Sequence, residues 1–430
     1  MRFEPASRIA GELTPPPDKS VSHRAALLAA MCDGQVRIHN YLRSGDTTST
    51  LRAVARLGAE IEEAGGDVLV TGVGLRGVRE VRDPIDVGNA GTLLRLLPGW
   101  LAGQGRGQWT LDGDDSIRRR PVDRVAEPLR LMGADIDCRE GRLPPLNIRG
   151  AELEGMRYEL PVASAQVKSC VLLAGLLAAG ETTVVERLPS RDHTEVMLAE
   201  AGVPLSVERT DGAATITVGP VSRLELEEVR VPGDFSSAAF FIAAATLVPG
   251  AELVLRNVGT NPTRTGLLSV MERMGANVER QDSGPAAGEA VADLIARHAS
   301  LRAAEVDAAE VPLMIDELPL VALLGAFAEG DTVVRGAEEL RHKESDRIAT
   351  VVDGLSNLGA DIEATDDGFH VHGTGGLRGG TIESAGDHRL AMLGAVAGVA
   401  SREGVEVGGF DAAAVSYPGF LKDLRSVSDG

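Results

Sequence analysis

The sequence predicts a protein of the α/β class, in stricter terms α+β, built from six copies of one helix–strand–helix–strand–strand unit. Three observations carry that expectation. Polar helix starts recur at Asp18, Gly88, Ala163, Gly233, Asp316 and Asp387, between 70 and 83 residues apart. Each opens an Ala-rich apolar run, at 25–31, 92–102, 169–179, 236–248, 318–328 and 389–400. Five of the six units then end a second, amphipathic helix on a Gly before the next strand. Those endings read Leu57-Gly-Ala-Glu-Ile61, Met132-Gly-Ala-Asp-Ile136, Ala201-Gly-Val-Pro-Leu205, Met274-Gly-Ala-Asn-Val278 and Leu358-Gly-Ala-Asp-Ile362. A Gly directly after a helix is a C-cap signal. Self-similarity at a near-constant period defines an architecture before any single motif does.

Composition bounds the function. At 430 residues the chain is long enough for two or three cores. Aromatics are only 3%, so those cores must be aliphatic and alanine-packed. A formal charge of −20 argues against nucleic acid or an anionic membrane as the main partner. It leaves room for a small anion held by local cations. Cys32, Cys138 and Cys170 are far apart and form no metal or redox motif; Cys32 and Cys170 adjoin apolar helices and read as small core residues. The N-terminus has no apolar signal region, and no run approaches the ~20 apolar residues of a membrane span. A cytoplasmic protein is expected.

Residues 1–17 end in Thr14-Pro-Pro-Pro17, a stiff connector. Unit one opens with Asp18-Lys-Ser-Val-Ser-His-Arg24. Its helix is apolar on every side and should be buried. The free N–H groups and the positive dipole end then lie beside Lys19 and Arg24, an arrangement that attracts phosphate. The plainer alternative is an ordinary cap by Asp18 or Ser20, with both cations in water. Further on, Ser44-Gly-Asp-Thr-Thr48 enters the second helix, with Asp46 or Thr47 as its cap.

Unit two opens Gly88-Asn-Ala-Gly-Thr92, with Arg95 one turn on. Its glycines admit a ligand close to the backbone, unless the stretch is simply a tight turn. In Arg118-Arg-Arg-Pro121 the first two cations read as solvated or functional alike. Arg120 is fixed by the Pro that follows, at an expected helix start. Unit three opens Ala163-Ser-Ala-Gln-Val-Lys-Ser169, where hydroxyl and amide groups face whatever sits at the helix start. Ser190-Arg-Asp-His-Thr194 then puts another cation in a turn.

Unit four, Gly233-Asp-Phe-Ser-Ser237, has no cation in its opening turn and reads as structural. Unit five opens Ile315-Asp-Glu-Leu-Pro319, where Asp316 is either a helix cap or a carboxylate aimed at a ligand. In Arg341-His-Lys-Glu-Ser-Asp-Arg347, Lys343 and Arg347 stand one helical turn apart. Like charges at that spacing disfavour a helix unless an anion sits between them, with Glu344 alongside. Unit six opens Asp387-His-Arg389, whose His alone is more often structural than catalytic. It stops after Leu424, without closing strands. A strand near 8–13 is expected to complete its sheet, which places both termini in one domain. The expected domains are therefore 1–17 with 232–430, and 18–231, with the active site in a cleft between them and hinge closure over the ligand.

No zinc spacing, nucleophile elbow, P-loop or dinucleotide fingerprint occurs, so neither metal nor cofactor is expected. Cations at so many helix starts suit a reaction between small anionic substrates, run by positioned charge and a few carboxylates.

These motifs, in this order, give the chain a resemblance over essentially its whole length to the EPSP synthase (3-phosphoshikimate 1-carboxyvinyltransferase) family of enolpyruvyl transferases. The stretches that carry it are Asp18–Arg24, Gly88–Thr92 with Arg95, Arg120-Pro121, Ser164-Ala-Gln166, Arg191-Asp-His-Thr194, Lys343-Glu-Ser-Asp-Arg347 and Asp387-His-Arg389. Ser164-Ala-Gln-Val-Lys168 and Arg191-Asp-His193 are similar to the bacterial class II branch, and Gly91 to the glyphosate-sensitive form. The resemblance implies two similar domains of three βαβαββ units each, an inside-out α/β barrel. It also implies transfer of the enolpyruvyl group of phosphoenolpyruvate to the 5-hydroxyl of shikimate 3-phosphate, with loss of phosphate through a tetrahedral adduct.

By the same resemblance, Lys19, Ser20, Arg24, Ser164, Ala165, Gln166, Asp316 and Lys343 would contact shikimate 3-phosphate. Lys19, Gly91, Arg120, Gln166, Arg347 and Arg389 would hold phosphoenolpyruvate. Asp316 would take the hydroxyl proton and Glu344 would protonate the methylene carbon, with Lys19 beside them. Glyphosate is the implied inhibitor, and the chain is expected to act as a monomer. Two departures stand out. Val415-Ser416 precede Tyr417-Pro418 where many members carry a Lys, and Glu339 stands where several have Asn, so no contact is carried over there. Rival readings are the sister transferase acting on UDP-N-acetylglucosamine and a non-enzymatic ligand-binding descendant. The first is disfavoured by Lys19-Ser20 and by the absence of Cys between Cys32 and Cys138, the second by the presence of Asp316, Glu344 and Lys19.

Overall fold

Six β-sheets, one for each sequence unit, make up the computed structural model, which describes residues 1–210 and 212–429. Asp211 and Gly430 fall inside the expected domain ranges but lie outside the described residues. The chain divides into two compact units. One comprises Met1–Pro16, Gly233–Pro285 and Ala290–Gly430; the other comprises Pro17–Pro232 with Ala286–Glu289.

In the unit formed by Pro17–Pro232, all three sheets have four strands. The second sheet shows the pattern: Ile85–Asp86 runs parallel to Gln108–Asp112, which pairs antiparallel with Leu143–Arg149, and that in turn with Asp135–Arg139. A parallel pair requires a crossover, and the helix Gly91–Ala102 supplies it. The helix Ala165–Gly175 does the same between Arg157–Glu159 and Thr182–Glu186. In the first sheet the parallel partner of Gln35–His39 arrives late, as Glu228–Arg230. The helix Lys19–Met31 is buried from Val21 onward, as its all-round apolar sequence requires.

The other unit has two four-stranded sheets and one of three strands. The sixth sheet is completed by Arg2–Phe3, antiparallel to Val405–Gly408, and not by the 8–13 stretch. Ala10–Leu13 instead runs parallel to Glu252–Gly259 in the fourth sheet. Alternation explains the division, because Phe3 and Leu13 face the core from separate strands. The few aromatics concentrate here. Phe3, Phe240, Phe241, Phe410, Tyr417 and Phe420 form one cluster, with ring centroids 4.9 to 6.3 Å apart. The cluster ties the first strand and the C-terminal helix Phe420–Val427 to the helix Phe235–Leu247.

The five repeat endings follow the C-cap rule. Gly58, Gly133, Gly202, Gly275 and Gly359 all have positive φ, between 76° and 116°, where a side chain is strained. The helix Gly45–Arg56 is capped by Ser44 and not by Asp46 or Thr47. Ser44 and Thr47 form a reciprocal capping box, and Asp46 is left facing Lys19. All three cysteines are buried and unbridged. Among the described residues no helix is long and apolar enough to cross a membrane, and no group of three or more His, Cys, Asp or Glu could hold a metal ion.

Candidate active site

In the Pro17–Pro232 unit the candidate residues gather at the starts of three core helices. Asp18 caps the first, accepting from the Val21 N–H at 2.8 Å. That local bond sets the helix start and leaves Lys19 directed to Asp46, 3.2 Å away. Arg24 is buried one turn further in. Its Nε donates to Thr194 Oγ1 at 2.7 Å, Nη2 to Ser169 Oγ at 3.0 Å, and Nη1 to the Ser20 carbonyl at 3.1 Å. Burial lowers its pKa to about 10 against the raising influence of Glu195, so it remains a cation at neutral pH.

The second core helix begins at Gly91, behind Ala90, which has no side chain able to cap it. Two guanidinium groups converge there. A Cβ at Gly91 would lie 2.9 Å from Arg120 Nη1 and 3.1 Å from Arg95 Nη1. Arg120 donates to Asn89 Oδ1 at 2.9 Å, and Arg95 donates to Gln166 Oε1 at 3.2 Å. Gln166 Nε2 donates in turn to Thr92 Oγ1 at 3.2 Å. Arg120 is placed by the short 3-10 turn Ile117–Arg119; the helix that follows starts at Asp123, two residues later than Pro121 suggests. Ser164 caps the third core helix, and Ala165 is its first residue. Arg118 pairs with Asp112 at the surface.

Lys168 is wholly buried between Glu195 at 2.7 Å and Glu186 at 3.0 Å. Burial raises the Glu195 pKa against the pull of Lys168. This ion cluster stands behind Thr194, the partner of Arg24, and nothing in the helix-start pattern pointed to it.

The other unit centres on Arg347, only 1% exposed. Its Nη1 meets Asp316 Oδ1 at 3.2 Å, its Nη2 Glu344 Oε2 at 2.5 Å, and its Nε Asp387 Oδ2 at 2.8 Å. Burial disfavours its charge, but those three carboxylates outweigh burial and hold the guanidinium above its ordinary pKa. Asp387 is held low despite its own burial, chiefly by Arg347, and it also caps the sixth core helix through the Arg389 N–H. Arg389 Nη2 lies 3.5 Å from Asp316 Oδ2.

Three sequence expectations change here. Asp316 does not cap its helix, because the N-cap residue is Glu317. Lys343 and Arg347 do not share a helix. Lys343 ends the 3-10 turn Glu338–His342 in extended backbone, and the helix starts at Arg347 behind the cap of Asp346. The like-charge penalty of adjacent helical turns therefore does not arise. Finally, the opening turn of unit four has no cation of its own, as expected, but its helix start receives one from elsewhere, so it is not merely structural. Arg264, from the turn at 261–264, donates from Nη2 to Ser236 Oγ at 2.7 Å. It lies 28 residues beyond Ser236, outside any local pattern, though Asn261-Pro-Thr-Arg264 between a strand and a helix was a turn signal to pursue.

The chain matches the family described as EPSP synthase (3-phosphoshikimate 1-carboxyvinyltransferase) over residues 3–424. It is 49% identical over 424 residues to a 3-phosphoshikimate 1-carboxyvinyltransferase of Thermus thermophilus, covering 98% of this chain and 97% of that one. A protein of the same name from Bacillus subtilis is 44% identical over 430 residues, covering 100% and 99%. Among solved structures, EPSP synthase from Acinetobacter baumannii aligns with a TM-score of 0.87 at 40% identity, covering 99% of this chain and 98% of that one. The enolpyruvyl transferase NikO from Streptomyces tendae shares the fold at 19% identity, with a TM-score of 0.79 over 99% and 96%.

Proposed function

The chain belongs to the EPSP synthase family, and we propose on that premise that it carries the enolpyruvyl group of phosphoenolpyruvate to the 5-hydroxyl of shikimate 3-phosphate. Membership rests on the match over residues 3–424 and on relatives at 44–49% identity. The observation that supports the reading best is the survival of both charge clusters with their intended chemistry. One unit offers Lys19, Arg24 and Arg120 at helix starts, and the other surrounds one buried arginine with three carboxylates.

Lys19, Ser20, Arg24, Ser164, Ala165, Gln166, Asp316 and Lys343 serve shikimate 3-phosphate; Lys19, Gly91, Arg120, Gln166, Arg347 and Arg389 serve phosphoenolpyruvate. Asp316 is surrounded by cations, which keep it ionised and able to accept the 5-hydroxyl proton. Glu344 is the proton donor to the methylene carbon. Its bond to Arg347 favours the carboxylate, so an anionic substrate at Arg347 would weaken that hold and let the proton return. Protonation makes the adjacent carbon electrophilic, and oxygen attack gives the tetrahedral adduct; phosphate then leaves as Glu344, now a carboxylate, takes a proton back from the methyl group, which restores the double bond. Glyphosate would compete at the phosphoenolpyruvate subsite. Action as a cytoplasmic monomer without nucleic-acid or membrane partners belongs to the same proposal.

The test is phosphate release from phosphoenolpyruvate, with shikimate 3-phosphate or UDP-N-acetylglucosamine as acceptor. Turnover is expected with the first alone. Asp316→Asn and Glu344→Gln should each lower kcat by about 10²–10⁴-fold, the usual worth of general acid–base catalysis, while shikimate 3-phosphate still binds. Turnover with the nucleotide sugar instead would replace this reading by its sister activity.

A further inference from the structure

Arg264 appears in none of the motifs, yet it is among the most deeply buried cations of its unit, 3% exposed. The turn that holds it is closed by its own polar groups. The Thr263 N–H and hydroxyl both donate to Asn261 Oδ1 at 2.8 Å, and the Arg264 N–H donates to the Asn261 carbonyl at 2.9 Å. Its side chain reaches four groups on two core-helix starts. Nη2 donates to Ser236 Oγ at 2.7 Å and lies 3.7 Å from Asp234 Oδ1; Nη1 lies 3.6 Å from Asp316 Oδ2 and 4.0 Å from Glu317 Oε1. Ser236 also donates a short hydrogen bond to Glu317 Oε1.

We propose that Arg264 is a positioning residue for Asp316, fixing that carboxylate from the side opposite Arg347 and helping to keep it ionised as the proton acceptor. The assignment rests on the role given to Asp316 above. The geometry divides the two Asp316 oxygens between cations: Oδ1 faces Arg347, while Oδ2 faces Arg264 and Arg389. Arg347 donates a hydrogen bond to Oδ1, whereas Arg264 and Arg389 face Oδ2 as ion pairs at 3.6 and 3.5 Å and hold it by charge, and proton abstraction depends on the orientation they favour. Glu317 acts as the counter-charge that makes a buried guanidinium tolerable here, lying within 4.0 Å of Arg264 and 3.7 Å of Arg389.

The charged groups around Asp316 are Arg347 at the start of its helix, Arg389 on the sixth core helix, Arg264 in its turn, and the adjoining Glu317. Glu344 and Asp387 act through Arg347, and Asp234 acts through Arg264. Removing Arg264 takes a cation from beside Asp316, so the acidic limb of kcat/KM must move to higher pH. An opposite charge within 4–6 Å shifts a carboxylate by about 1–3 pH units, and with Arg347 and Arg389 still in place the low end applies.

The experiment compares pH profiles of the full-length enzyme and its Arg264→Lys and Arg264→Gln variants, with urea unfolding to confirm that each is folded. Arg264→Gln removes the positive charge, keeps a donor for Ser236 and leaves Glu317 in place. Its acidic limb is expected about one unit higher. At the pH plateau kcat should fall while the KM for shikimate 3-phosphate stays within about twofold, a split that general loosening of the fold would not give. Arg264→Lys keeps the charge and should restore most of the limb position, with kcat still reduced by its shorter reach. Asp316→Asn, run alongside, separates the two claims. If it retains turnover, the assignment of the proton acceptor fails. If it abolishes turnover while the limb of the Arg264 variants stays where it is in the wild type, Arg264 is structural only and the inference is overturned.

Discussion

A single missing Cβ sets the most specific expectation at the residue scale. Gly91 begins a core helix directly beneath Arg120 and Arg95, and a methyl group there would stand 2.9 and 3.1 Å from their guanidinium nitrogens. Both contacts are to ends of flexible side chains, so the helix survives and the cations move. Gly91→Ala should raise the glyphosate inhibition constant by well over tenfold, more than ~1.4 kcal/mol. The KM for phosphoenolpyruvate should also rise, though less, because Arg120 itself is displaced. Competitive inhibition at fixed shikimate 3-phosphate checks this, and equal factors for the two ligands would remove residue 91 as the discriminator. His23, one residue before Arg24, shows the opposite use of burial. It is enclosed completely, pairs with Thr50 Oγ1 at 2.6 Å, and burial pushes its pKa down to about 3. The unfolded chain binds that proton below about pH 6.5 while the native state refuses it until near pH 3, so stability falls as the pH drops through that window. From pH 6.5 to 5 the loss from this residue is about 2 kcal/mol. Urea unfolding of His23→Asn should show a correspondingly flatter pH dependence, and parallel curves for the two proteins would refute the assignment.

Caps matter most at the element scale, because they place the site and hold the helices with the same atoms. Asp346 and Asp387 both cap helices, accepting from the Ala349 N–H at 3.1 Å and the Arg389 N–H at 2.9 Å. Asp346 is half exposed and bonded to Arg341, so Asp346→Ala should cost about 1 kcal/mol, the usual worth of a cap. Asp387 is wholly buried and also accepts from Arg347, so Asp387→Ala removes a counter-charge as well and should cost about 3 kcal/mol or more. Urea denaturation of the two variants decides it: equal losses would mean that Asp316 and Glu344 suffice for Arg347. The glycines ending the second helices were legible because a C-cap is a local demand on φ, met within a few residues. The cap at Ser44 was not legible because Ser44, Asp46 and Thr47 lie within four residues and all satisfy the same local rule; the capping box of Ser44 with Thr47 and the bond of Asp46 to Lys19 separate them.

For the whole molecule, strand supply decides which parts are self-sufficient. Residues 17–232 contain every strand of their three four-stranded sheets, whereas two of the other three sheets borrow Arg2–Phe3 and Ala10–Leu13 from the N-terminus. A fragment of residues 17–232 should therefore unfold cooperatively in urea. A fragment of residues 233–430 should not, until residues 1–16 are joined back to it. Cooperative unfolding of the 233–430 fragment alone would show that the two borrowed strands are dispensable. The fragment 17–232 should be somewhat weaker than its counterpart in the intact chain, because it lacks Glu289, the partner of buried His193 at 2.7 Å.

The six-fold repeat, the buried core helices, the cap at Asp18 or its neighbours and the family motifs were determined by the sequence. Each depends on periodicity or on contacts spanning about four residues. Which cation faces which carboxylate was decided by the tertiary structure alone. Arg264 reaches Ser236 and Asp316, 28 and 52 residues away, and Arg347 collects Asp316 and Asp387 from 31 and 40 residues away, while Glu344, three residues before it, is its one local partner among the three. The division of the N-terminal strands was equally beyond local reading, because Phe3 finds its partners in Val405 and Phe410 near the other end of the chain. Hydrophobic period and capping are enforced along the chain, but the pairing of buried charges is settled only when distant segments are packed and water is excluded. There an uncompensated charge is costly enough to fix its own partner.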